Sequence, residues 1–149
     1  MVKARKTVWL TGGLILLAVA SGRRAGAQPM PYKIIVNETN PTKEATRKLV
    51  ADLFLKKVTR WQGGLEAIPV DQSSTSPVRE RFSKEMLGDS VSGVLNYWQQ
   101  QIFSGRGLPP AVKAEKDAIA FVQSSAGAIT YIAGETPLPP GTKLLPIVK

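Results

Sequence analysis

Four consecutive hydroxyl residues, Ser73, Ser74, Thr75 and Ser76, stand directly before Pro77, with Arg79 two positions further on. Ser76 suits a helix N-cap and Pro77 the first helical position. Glu80 falls in the first turn, where negative charge is favoured. A helix start of this kind gathers backbone N–H groups, hydroxyl donors and the positive end of a dipole at one point, a set that suits phosphate, sulfate or a carboxylate. Arg79 would add a two-pronged donor for an oxyanion. The candidate ligand residues are therefore Ser74, Thr75, Ser76 and Arg79, with Ser73 as a neighbouring donor. Ordinary capping, with Arg79 solvated, accounts for the same residues without a ligand.

The rest of the sequence narrows the chemistry. It contains no Cys and no His, which removes the thiol nucleophile, the imidazole base, haem ligation and most zinc sites. Glu115 and Asp117 are two apart on a helix, so they do not face each other as an acid–base pair. Ser124-Ser125 and Ser73-Ser74 lack a hydrolase signature. The expectation is a non-enzyme with no catalytic residues, no metal and no cofactor. Trp61, Tyr97 and Trp98 suit core filling better than ligand stacking. Lys56, Lys57 and Arg60 read as a solvated helix end, with a membrane or partner patch as the other reading.

Three basic residues, Lys3, Arg5 and Lys6, precede an apolar run from Val8 to Ala20, and Ala25-Gly26-Ala27 follows. This is the layout of a secretory signal peptide, and the run is too short for a membrane span. Residues 1–27 are thus expected to be a leader cleaved after Ala27. Ala18-Val19-Ala20 is an earlier alternative, and an uncleaved anchor a third. The leader carries five of the 20 basic residues and none of the 11 acidic ones, which lowers the net charge from +9 for the whole chain to +4 for the remaining 122 residues. A surface of that charge attracts anions weakly and does not imply nucleic acid. The expected location is the periplasm, without stable membrane insertion after cleavage.

The elements that must hold the hydroxyl cluster follow from periodicity. Tyr32–Val36 reads as a strand, and a helix starting at Thr42 or Pro41 and running through Lys57 has Ala45, Leu49, Leu53 and Phe54 on one face. Glu66–Val70 reads as a second strand leading into the cluster. Helices are expected from Pro77 to Leu87, stopped by Gly88, and from Val91 to Phe103, capped by Ser90, with Val94, Leu95, Trp98 and Ile102 inward. A helix over 113–124 and strands over 128–132 and 144–148 complete residues 28–149. Alternating strands and helices predict an α/β domain, a small mixed sheet flanked by helices.

Five motifs occur in order: Val36-Asn37 with Asn40-Pro41; Phe54 and Trp61 before a strand; Ser76-Pro77-Val78-Arg79-Glu80-Arg81-Phe82; Tyr97-Trp98 with Phe103-Ser104-Gly105; and Gly127-Ala128-Ile129-Thr130-Tyr131. Together they resemble the phosphate-binding-protein-like family of periplasmic solute-binding proteins from phosphate ABC transporters. The resemblance implies one lobe of a type II periplasmic-binding-protein-like fold and binding of a small oxyanion. It places Ser76, Arg79 and Phe82 on the family's ligand-contacting segment, with Pro77 and Val78 replacing a glycine and a threonine. Proline brings no N–H and valine no hydroxyl. Family members enclose their ligand between two lobes, and this chain is about one lobe long. The face left uncovered gives the alternative, a non-catalytic protein–protein interaction module of the cell envelope that self-associates or docks on an envelope partner.

Overall fold

The computed structural model describes residues 32–149, so the expected leader lies outside the described residues. A five-stranded mixed sheet in the order β4-β3-β5-β1-β6 forms the centre. Its strands are β1 (Tyr32–Asn37), β3 (Ile68–Asp71), β4 (Ala111–Val112), β5 (Ala128–Ala133) and β6 (Thr142–Leu144). β1 lies antiparallel to β5 and β6, whereas β3 lies parallel to both β4 and β5. A parallel strand needs a long return connection. For β3 and β4 it consists of α2 (Pro77–Phe82), a π-helical turn (Ser83–Leu87) and α3 (Val91–Phe103); α4 (Glu115–Ser124) links β4 to β5.

Strand alternation sorts the core into two layers. Tyr32, Ile34 and Val36 of β1 join Ile129 and Tyr131 of β5 against Val50, Leu53 and Phe54 of α1 (Arg47–Phe54) and Phe82 of α2. The residues between them, including Ile35, Thr130 and Ile132, are also buried, and α4 covers that side with Ala118 and Val122. Gly127 is set by close approach of another backbone segment. A Cβ there would stand 1.8 Å from the Glu66 carbonyl oxygen.

The sheet-and-helix architecture expected from the sequence is present, with four local corrections. The first helix runs Arg47–Phe54, not Thr42–Lys57. Ala45-Thr46 is instead strand β2, paired parallel with β7 (Ile147–Val148), and the Thr46 hydroxyl caps α1 by accepting the Leu49 N–H. The expected final strand 144–148 is split, because Leu145 donates to Ile34 in the main sheet while the Pro146 carbonyl accepts from Ala45 in the small one. The helix expected over Pro77–Leu87 changes to π geometry after Phe82 and ends as foreseen at Gly88, in the left-handed region at φ 75°. On α3, Val94 and Trp98 are buried, but Leu95 and Ile102 are each 47% exposed. No further layer covers that side of α3 among the described residues. Within the same span no helix is long and apolar enough to cross a membrane.

Candidate functional site

β3 ends at Asp71, and the chain then turns through Gln72–Ser76 into α2. The turn is held by its own hydroxyls. Ser73 Oγ and Thr75 Oγ1 lie 3.0 Å apart, and the Ser76 amide donates to the Ser73 carbonyl. Ser76 is the N-cap, as expected: its hydroxyl accepts the Arg79 N–H at 3.3 Å and donates to Gln72 Oε1 at 2.9 Å. Both roles of that hydroxyl are therefore used inside the protein. Ser74 takes part in none of these side-chain bonds.

Arg79 is not solvated. It is 4% exposed and ion-paired through Nη1 with Asp71 Oδ2. Its Nε donates to Ser83 Oγ at 2.9 Å, and Nη1 also reaches the Gln72 carbonyl at 3.4 Å. Asp71 in turn accepts from the Tyr131 hydroxyl at 2.5 Å and from the Gln72 N–H at 2.9 Å. Arg79 Nη2 is the guanidinium nitrogen without a bond in this set. Since no sealed side-chain polar atom among the described residues lacks a partner, that nitrogen reaches solvent. Arg79 lines a cleft of about 400 Å3 together with Asp71, Gln72, Ser73 and Ser74. Leu95, Trp98, Ile102, Pro109, Pro110 and Val112 supply the apolar part of the lining, with Gln99 among them.

Of the four candidate residues, Ser74 and Arg79 therefore line one cleft. Ser76 supports Arg79 from behind, and Thr75 braces the turn through Ser73. Asp71, Gln72 and Tyr131 escaped the sequence reading. One signal was available for Asp71, a carboxylate closing an apolar strand eight residues before an arginine. Tyr131 is visible only as the end of the Gly127–Tyr131 motif, and nothing local pairs it with Asp71, which it reaches across the sheet from 60 residues away. Among the described residues there is no group of acidic side chains arranged to hold a metal ion.

Burial pushes the Tyr131 hydroxyl well above the usual phenol range, and the Asp71 charge beside it pushes the same way. Tyr32 rises from 10.0 to about 12, through burial first and then the neighbouring Glu85 carboxylate. Both groups fold as neutral phenols. Their contribution is complete below pH 10, the unfolded value, and drains away as pH climbs through the folded values. Tyr32 alone should withdraw stability between about pH 10 and 12. Urea midpoints measured from neutral to strongly alkaline pH should fall steeply above pH 10; a flat profile would contradict this account.

The fold has counterparts among solved structures. An ABC-type phosphate transport receptor from Vibrio cholerae superposes with a TM-score of 0.58 at 16% identity, over 77% of this chain and 45% of that one. A phosphate ABC transporter substrate-binding protein from Clostridium perfringens, solved with bound phosphate, gives 0.62 at 17% identity, over 78% of this chain and 44% of that one. PstS from Borrelia burgdorferi gives 0.59 at 11% identity, over 78% and 47%. The chain has the fold of one lobe of a periplasmic binding protein. It spans less than half the length of each of these three proteins. No protein-family model matches the chain, and no curated protein does. The lobe fold puts a strand end, a capped turn and a short helix at the mouth of the cleft, where open α/β sheets characteristically receive ligands.

Proposed function

We propose that this chain is an exported, non-catalytic solute-receptor lobe of the periplasm that takes phosphate or a similar oxyanion at the turn between β3 and α2. One observation carries the reading: a buried guanidinium, fixed by Asp71 and Ser83, lines the same cleft as Ser74, whose hydroxyl is not used in holding the turn. A fixed guanidinium loses little freedom when it binds, so its hydrogen bonds go further than those of a mobile surface arginine. Arg79 and Ser74 are the direct donors in this proposal, Ser76 holds Arg79 in place and Thr75 shapes the turn. Asp71 cancels the Arg79 charge, so recognition depends on directed hydrogen bonds more than on attraction. An anion that still carries a proton suits a site with a carboxylate on its wall, which favours hydrogen phosphate over sulfate. The likeness in fold to receptors for phosphate transport agrees with this choice.

A lobe with an open cleft leaves one side of its ligand in water, so affinity should be modest, with Kd on the order of 1 mM. Calorimetric titration of the purified protein should give heat with phosphate and less with sulfate. Ser74→Ala removes one neutral hydrogen bond at an exposed position and should weaken phosphate about fivefold without lowering the melting temperature. Absence of heat at millimolar phosphate would end the receptor reading.

A further inference from the structure

The cleft beside the β3–α2 turn is much larger than a small anion needs. It measures about 400 Å3. A water occupies about 30 Å3 of the liquid, so a phosphate ion leaves most of that space unfilled. The volume falls among clefts that hold organic ligands, about 300–1,000 Å3, and the lining has their make-up, mainly apolar with a few polar groups.

The apolar and polar parts of that lining adjoin. Leu95, Trp98, Gln99 and Ile102 follow the spacing i, i+3, i+4, i+7, so one stripe of α3 enters the cleft. Val112 lies in register with Asp71 in the parallel pair of β3 and β4, so both side chains leave the sheet on the same side. The Lys113 N–H holds this register by donating to the Asp71 carbonyl at 2.8 Å. Leu95, Ile102 and Val112 all keep exposed apolar surface. The charges point the same way. Asp71 neutralises Arg79 within the lining, so a bare anion gains little from attraction. Each Asp71 oxygen already has a cation or a donor, namely Arg79 for Oδ2 and the Tyr131 hydroxyl with the Gln72 N–H for Oδ1. A ligand amine is therefore the poorer match for this carboxylate, and affinity must come from the apolar surface.

Given the oxyanion site proposed above, on which this step rests, we propose that the ligand is a soluble phosphate monoester of a short alkyl or aryl alcohol, taken in preference to inorganic phosphate. Its phosphoryl oxygens meet Arg79 and Ser74. Its organic group lies along Leu95, Ile102 and Val112, and the remaining volume limits that group to about six carbons.

Calorimetric titration of the purified protein with inorganic phosphate, methyl phosphate, hexyl phosphate and 1-hexanol tests this. In an open cleft each added methylene should tighten binding about twofold, half the effect of full burial on a free-energy scale. Hexyl phosphate should therefore bind about 30-fold more tightly than methyl phosphate, with a more negative heat-capacity change. Ile102→Ser should cut that ratio about fivefold. Ile102 is exposed, and an unchanged melting temperature confirms that the variant folds. Equal binding of methyl and hexyl phosphate would overturn the inference and leave the receptor reading standing. A ratio that survives Ile102→Ser in the folded variant would overturn it as well, because the organic group would then lie elsewhere. Silence from inorganic and methyl phosphate would instead sink the receptor reading itself. Hexanol binding as tightly as hexyl phosphate would remove the oxyanion from the site. Cosedimentation with phosphatidylcholine vesicles only when they contain phosphatidic acid would assign the cleft to a lipid headgroup and overturn the soluble ligand.

Discussion

Arg79→Ala should lower the unfolding free energy by about 3–5 kcal/mol, a larger loss than deleting an exposed arginine produces. Both partners of the Asp71–Arg79 pair are buried, at 7% and 4% side-chain exposure. Removing the guanidinium leaves Asp71 charged and under-solvated, facing only the Tyr131 hydroxyl and the Gln72 N–H. Asp71→Ala should be equally harmful, because it strands the cation instead. The pair itself need not be a net source of stability, since desolvation offsets much of its attraction. Asp71→Leu/Arg79→Met should therefore recover most of either single loss, and that recovery separates structure from ligand capture. The double variant should melt near the parent protein yet give no heat with phosphate. Urea unfolding followed by tryptophan fluorescence measures the first quantity and calorimetry the second. A loss below about 1 kcal/mol for Arg79→Ala would mean that the pair is effectively solvated.

The sequence made some of this legible and hid the rest, for identifiable reasons. Local signals worked where one residue decides the outcome. Ser76 and Pro77 started α2, Gly88 stopped the run after it, and Ser90 capped α3. They failed where a distant strand competes. Thr42–Thr46 has helical rhythm, but pairing of Ala45 and Thr46 with β7 takes those residues away from the helix. The apolar face of α3 was legible as a stripe, yet periodicity cannot say whether anything covers the stripe. Leu95 and Ile102 hold core positions in the pattern and stand half in solvent. Glu115 likewise reads as a solvated first-turn acid, but it accepts the Ala133 N–H and the Thr136 hydroxyl and so ties α4 to the end of β5. For the site, the hydroxyl run and Arg79 were visible as residue types. What they do depends on Asp71, whose orientation is fixed by a tyrosine from the far side of the chain, and no short window of sequence carries that information.

Phe82→Ala should be the other severe substitution, at about 3–5 kcal/mol, and its effect should reach the site. Phe82 is fully buried and stacks on Tyr131 with ring centres 3.9 Å apart and 9° between planes. It also meets Phe54 at 4.7 Å and the Tyr32 ring edge-on at 5.7 Å. The helical run Pro77–Leu87 is too short to hold itself together in water. Its cap fixes one end, and the aromatic cluster holds its middle against the sheet. Arg79 lies three residues before Phe82, within the same short helix, so a helix that loses its anchor also loosens the guanidinium. Tyr131 links the two effects, because one face of its ring carries Phe82 while its hydroxyl holds Asp71. Phe82→Leu keeps most of the volume and should cost less than about 1.5 kcal/mol. Combining Phe82→Ala with Arg79→Met should give a non-additive total, with a coupling of about 1 kcal/mol. Additivity within about 0.5 kcal/mol would show that the cap alone places α2, and that the core and the cleft are built independently.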